Sequence, residues 1–147
     1  MKVELISIGD ELLIGQTINT NASWLGQELS LLGCKIIKGV TISDTKDAIT
    51  GALDEIQNTT QLCIITGGLG PTNDDITKYT LASYFDMELE MNEEIKLKIQ
   101  QYFQKRNRPM LSVNEDQALM PKGALVLKNN YGTAAGILIE KNNQIFV

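Results

Sequence analysis

The chain reads as an α/β domain built on a mostly parallel sheet. Short apolar runs alternate with helix-period amphipathic runs from Val3 to Phe85, the pattern of strands joined by crossover helices. Glycines and N-capping residue types punctuate the junctions. Leu62, Cys63, Ile64 and Ile65 form an unbroken apolar segment, as a strand covered on both faces should.

Val3 to Ile8 is the first predicted strand, and Gly9, Asp10 and Glu11 place acids directly beyond its carboxyl end. Asn19, Thr20 and Asn21 lead into a helix from Ala22 to Leu32. Leu25, Leu29 and Leu32 mark its inward face, Trp24 is expected to pack, and Gly33 stands at the C′ position. Lys35 to Ile42 is the second strand. Asp44 with Asp47 is read as a capping box before the helix from Thr45 to Gln57, whose inward face carries Ile49, Leu53 and Ile56. After the central strand and a helix from Ile76 to Phe85, Asn92 caps a further helix with Ile95, Ile99, Tyr102 and Phe103 inward. Ser112 and Glu115 are read as the capping box of a short helix through Met120, stopped by Pro121. Ala124 to Leu127 and Gly136 to Glu140 are strands, and Asn142-Asn143 is a hairpin turn before Ile145, Phe146 and Val147. The chain reads as one domain. It stops in what looks like a core strand, which leads us to expect that the natural domain continues.

The central stretch, LCIITGGLGPTNDDIT from Leu62 to Thr77, joins a buried strand through Gly67, Gly68 and Gly70 to a helix N-terminus. Such a junction is where open α/β sheets bind phosphorylated ligands, and glycines let backbone amides come close to them. Thr72, Asn73, Asp74 and Asp75 are N-cap types, so the two aspartates admit a bland reading as helix caps. In the other reading a divalent cation stands between the acids and a phosphate. Neither the P-loop nor the G-x-G-x-x-G spacing fits. In a parallel sheet the acids after three successive strands, Asp10/Glu11, Asp44 and Asp74/Asp75, emerge at one edge.

The 147-residue chain carries a net charge of −5, and its only basic cluster is Lys105, Arg106 and Arg108, so no nucleic-acid partner is expected. No run approaches the ~20 apolar residues of a membrane span, and the N-terminus is no signal peptide, which makes a cytoplasmic setting the default. The chain has no histidine, which removes Ser-His-Asp and Cys-His catalysis and histidine zinc sites. Cys34 and Cys63 read as buried small residues rather than a disulfide pair.

Taken together, Gly9-Asp10-Glu11-Leu12-Leu13, Asn19-Thr20-Asn21, Thr66 to Thr72 with Asp74 to Thr77, Asn114 with Gln117-Ala118, Pro121, and Gly132-Thr133-Ala134 resemble the N-terminal domain of CinA, the competence/damage-inducible proteins. That domain lies within the molybdenum-cofactor biosynthesis (MoCF, molybdopterin-binding) superfamily. The resemblance implies a three-layer α/β/α fold and metal-dependent hydrolysis of ADP-ribose to AMP and ribose 5-phosphate. It also implies a functional acid pair at Asp75 and Asp44 and an oligomeric protein. Under that reading Thr66, Gly67, Gly68, Leu69, Gly70 and Thr72 bind the diphosphate, with Asn19, Asn21 and Thr133 as nucleoside contacts. Asp75, Asp44, Asp74 and Glu11 are the candidate ligands of Mg²⁺, Mn²⁺ or Co²⁺. A non-catalytic nucleotide- or molybdopterin-binding module and a molybdopterin adenylyltransferase-like enzyme stand as alternatives.

Overall fold

A computed structural model describes residues 1–147 apart from Asn73, so the capping expectation at that residue lies outside the described part. In chain order the elements are β1 (Lys2–Ile8), α1 (Asp10–Leu13), α2 (Thr20–Leu31), β2 (Lys35–Ile42), α3 (Lys46–Asp54), β3 (Leu62–Thr66), α4 (Thr77–Tyr84), β4 (Leu89–Met91), α5 (Glu93–Gln104), α6 (Ser112–Glu115), a 3₁₀ turn (Asp116–Ala118), β5 (Leu119–Pro121), β6 (Leu125–Leu127), β7 (Gly136–Lys141) and β8 (Gln144–Phe146). Six strands form one sheet in the order β2-β1-β3-β8-β7-β6, and β4 pairs with β5 in a separate ribbon. β1 is parallel to both β2 and β3, and β3 to β8, whereas β7 runs antiparallel to its neighbours. The predicted mostly parallel α/β sheet is what forms.

Alternation along β1 divides the molecule into layers. Val3 and Leu5 join Leu62 on one face, where α2 contributes only the half-buried Leu25 and Leu29. Ile6 and Ile8 point to the other face, into the main core with Ile49 and Leu53 of α3, Leu81 of α4, Ile95 and Ile99 of α5, and Phe85 and Phe146. The two faces are unequally covered. One helix cannot bury a full face, so Trp24 and Leu32, expected to pack, are 60% and 78% exposed. Leu13, Ile14, Ile18 and Leu31 are exposed in the same stretch of α1 and α2.

Two capping assignments and one helix end change. Thr45, not Asp44, caps α3, its hydroxyl accepting from the Ala48 N–H at 3.4 Å. Ser112 is the first residue of α6, and Asn114 Oδ1 accepts from the Leu111 N–H at 3.0 Å, while Glu115 pairs with Lys96. The helix expected through Met120 gives way at the 3₁₀ turn to β5, because Leu119–Pro121 finds β4 as a partner. The predicted caps at Asn19 and Asn92 form, with Ala22 N–H and Ile95 N–H as donors at 3.0 and 3.1 Å. At the Asn142-Asn143 turn both residues have positive φ, 50° and 65°, as a tight hairpin requires. Among the described residues no helix is long and apolar enough to cross a membrane.

Candidate functional site

β3 ends at Thr66 and the chain turns over the carboxyl ends of β1 and β3 before α4 begins. A Cβ at Gly67 (φ 106°) would strike the carbonyl oxygen of Ile8, one at Gly68 (φ 64°) the hydroxyl of Thr77, and one at Gly70 the carboxylate of Asp75. The glycines thus let the loop press against β1, α4 and its own aspartate. The amides follow the same logic. Thr77 N–H donates to Gly68 O, Asp75 N–H to Thr72 O and Ile76 N–H to Asp74 O, at 3.2, 3.0 and 3.0 Å. The Thr77 hydroxyl closes the loop by donating to Gly67 O at 2.9 Å. The Gly70, Thr72, Asp75, Ile76 and Thr77 amides are engaged within the loop.

Asp75 organises the turn. Its Oδ2 accepts from the Thr72 N–H at 2.8 Å and the Thr72 hydroxyl at 2.5 Å. Burial alone would raise its pKa, but the Thr72 hydroxyl and the N–H groups of Thr72 and Gly70 outweigh burial and hold the carboxyl below its ordinary 3.8. It is a fixed anion with one oxygen committed to the loop. Asp75 does not cap α4, whose N-terminus has no side-chain cap, so the bland reading of this aspartate fails.

Asp75 lines a cleft of about 240 Å³ with Gly70, Pro71, Thr72, Ile76, Tyr79, Val113, Asp116 and Gln117. The 3₁₀ turn reaches this place because Lys78 of α4, buried beneath it, donates to Asp116 O at 2.8 Å. Burial pushes the Lys78 amine down to about 8, against the opposing pull of the Asp116 carboxylate. Burial and then the same carboxylate raise the Tyr79 phenol above its usual value. Gln117 is 4% exposed, and neither atom of its amide has a hydrogen-bond partner among the described residues.

Pro71 also borders a second cleft, of about 590 Å³, with Tyr102, Phe103, Arg106, Arg108, Asn114 and Thr133. The Arg106 guanidinium lies 3.6 Å from the centre of the Tyr102 ring, which fixes one cation at the rim. The glycine loop therefore separates an acid- and amide-lined recess from a cation-lined one.

Of the residues expected at the site, Gly70, Thr72, Asp75 and Thr133 border these two clefts, and Thr66, Gly67, Gly68 and Leu69 form the stem beneath them. Asn19 spends its side-chain oxygen capping α2, and Asn21 is exposed on that helix; neither lines either cleft. Asp44 sits at the end of β2, on the far side of β1 from β3, two strand spacings or roughly 10 Å across the sheet. Glu11 folds over Gly9 and Asp74 is exposed. Asp44, Glu11 and Asp74 lie outside both clefts, and among the described residues no three His, Cys, Asp or Glu side chains gather to hold a metal ion. The carboxylate that does share the recess with Asp75 is Asp116, about 40 residues downstream, which nothing in its local sequence marks. Tyr79, Lys78 and Gln117 were equally unmarked as site residues, although Gln117 belongs to the motifs behind the resemblance.

The family model described as "Probable molybdopterin binding domain" matches residues 4–147. A protein of Clostridium beijerinckii described as competence-damage inducible is 46% identical over 147 residues, all of this chain and 36% of that protein, so the chain spans about a third of that relative's length. A CinA-like protein of Flavobacterium psychrophilum is 43% identical over 151 aligned positions, covering 100% of this chain and 35% of that protein. Among solved structures, CinA from Thermoplasma acidophilum superposes with a TM-score of 0.87 at 28% identity, covering 99% of this chain and 85% of that one. The resemblance to CinA drawn from the motifs is borne out.

Proposed function

Since the chain belongs to the family of probable molybdopterin-binding domains, we propose that it binds a phosphorylated heterocycle, a nucleotide or a molybdopterin-type pterin, across the glycine loop. The observation that carries this reading is the pair of clefts meeting at Pro71. One offers Arg106, Arg108 and the Thr133 hydroxyl, donors suited to a phosphate. The other offers hydrogen-bonding groups flanked by Tyr79, suited to a flat polar ring. The test is calorimetric titration with AMP, ADP-ribose and neopterin phosphate. At least one should bind with a salt-dependent affinity that falls roughly tenfold or more in Arg106→Ala/Arg108→Ala. No binding of any of them at millimolar concentration sinks the proposal.

Asp75 favours a second reading, hydrolysis of ADP-ribose to AMP and ribose 5-phosphate, in which water adds to a phosphorus and the bridging P–O bond breaks. Its carboxylate is held ionised by Thr72 and Gly70 and borders the recess that Asp116 shares. Two carboxylates fit a hard divalent cation, Mg²⁺, Mn²⁺ or Co²⁺, of the kind that completes its shell with substrate phosphates and water. Such an ion supplies neutralisation of phosphoryl charge and a more acidic water. Asp75 and Asp116 would hold it, while Arg106 and Arg108 orient the diphosphate. Chromatographic assay of AMP with each metal should show product that falls at least a hundredfold in Asp75→Asn. Binding without turnover would leave the binding module alone.

We further expect a cytoplasmic protein that self-associates through the exposed apolar residues of α1, α2 and the segment between them. Light scattering of wild type beside Ile18→Asp/Leu31→Asp tests this, and an unchanged mass would contradict it.

A further inference from the structure

We propose that Gln117 reads the hydrogen-bonding edge of the ligand's ring system, an inference that rests on the binding function proposed above. Gln117 lines the recess beside Asp75 and Tyr79, yet it is 4% exposed and both its Nε2 and Oε1 lack partners among the described residues. Buried amides in folded proteins are almost always paired, because an unpaired donor or acceptor bears its full desolvation penalty. The backbone carbonyls of its two chain neighbours already have donors. Asp116 O accepts from Lys78 Nζ at 2.8 Å, and Ala118 O accepts from the Asn92 N–H at 2.9 Å. The surrounding chain thus holds Gln117 at the cleft without completing its hydrogen bonds.

An amide presents a donor beside an acceptor, so its complement is a ring edge with an acceptor beside a donor. Adenine has that pair in N1 and its 6-amino group, and a pterin has it in its 4-oxo group and N3–H. Tyr79 and Val113, 39% and 43% exposed, supply apolar flanks for a flat ring. A recess of about 240 Å³ is the size of roughly eight waters at ~30 Å³ each, so it takes a fused bicyclic ring rather than one bridging water. The amide is closed to solvent in the free chain, so contact with an occupant requires the terminal torsions of Gln117 to turn it into the recess. The ring thereby lies on the Gln117 side of Pro71 and the phosphate on the Arg106/Arg108 side.

The experiment is calorimetric titration of wild type and Gln117→Met with AMP, with purine riboside 5′-monophosphate, which lacks the 6-amino group, and with neopterin phosphate. If the occupant is adenine, wild type prefers AMP over purine riboside 5′-monophosphate by roughly ten- to a hundredfold, and Gln117→Met binds the two within about twofold. If it is a pterin, neopterin phosphate binds wild type best and loses roughly tenfold or more in the variant. The wild-type preference for AMP needs no variant, so it stands whatever the folding of Gln117→Met. Ligands that bind wild type and Gln117→Met with equal affinity and equal preference overturn the role of Gln117 while leaving the binding function intact. Binding of none of the three overturns both.

Discussion

Glu4 and Gln117 are both polar side chains shut away from solvent, at 2% and 4% exposure, and the chain treats them in opposite ways. Glu4 lies in β1 on the main-core face, and its Oε1 accepts from the Gln57 N–H at 2.9 Å and from the Thr60 hydroxyl. Gln144 extends the arrangement from β8, donating to Gln57 O and Thr60 O at 3.1 and 2.9 Å. The result ties β1, the loop before β3 and β8 together. Gln117 has no partner among the described residues. A buried group with its hydrogen bonds made inside the chain specifies the fold; one left without them is poised for something the chain does not contain.

The comparison breaks most visibly at Glu4. Glu4→Ala leaves the Gln57 N–H and Thr60 hydroxyl without their acceptor and should cost about 3 kcal/mol, read from urea unfolding. A loss under about 1 kcal/mol would remove the structural role. Gln117→Met should move the other way, raising stability by about 1 kcal/mol in the absence of ligand, because it deletes an unpaired amide at nearly constant volume. A loss of similar size would mean that the amide has a partner after all.

These two residues also show what is legible in the sequence. β2 forms over Lys35–Ile42 as read, and the Asn142-Asn143 turn as well, because apolar patterning and positive-φ residues are local signals. β4 and β5 leave no such signal. Each is three residues long, and Leu119–Pro121 becomes a strand only through pairing with Leu89–Met91. Helix-capping chemistry misled at Asp75, whose carboxylate turns back to Thr72 instead of onto α4. The glycine loop was legible as a landmark, whereas its neighbours Asp116 and Gln117 were not, since Lys78 brings them there through tertiary packing.

Lys78 is an intermediate case, a buried ammonium with one backbone acceptor. The unfolded chain keeps this proton up to about 10.5, whereas the folded chain releases it near 8. Between those values the unfolded state binds more protons, so this residue's contribution to stability rises with pH. Cys63, pushed up to about 12 by burial and then by Glu4, acts in the opposite sense above pH 9.0. It does so equally in wild type and Lys78→Met and cancels in the difference. The urea midpoint of wild type relative to Lys78→Met should therefore climb from pH 8 to pH 10.5, and a flat difference would contradict the buried ammonium. The smallest effect belongs to Thr72→Val, which removes one donor to Asp75 and should cost about 0.5 kcal/mol. Asp75 stabilises the fold above its unfolded pKa, and that contribution is lost as pH falls through the lower folded value. In Thr72→Val its carboxyl resonance should titrate at higher pH than in wild type, and an unchanged titration would show that the hydroxyl does not hold the anion.

The most direct test of the whole account is to follow the side-chain NH₂ signals of Gln117 by nitrogen-15 NMR while AMP, and in parallel neopterin phosphate, is added to the wild-type chain. One of the two should shift both Gln117 signals in step with saturation and slow their hydrogen exchange, the amide gaining the partner it lacks among the described residues of the free chain. Saturation with the Gln117 signals unmoved would contradict it.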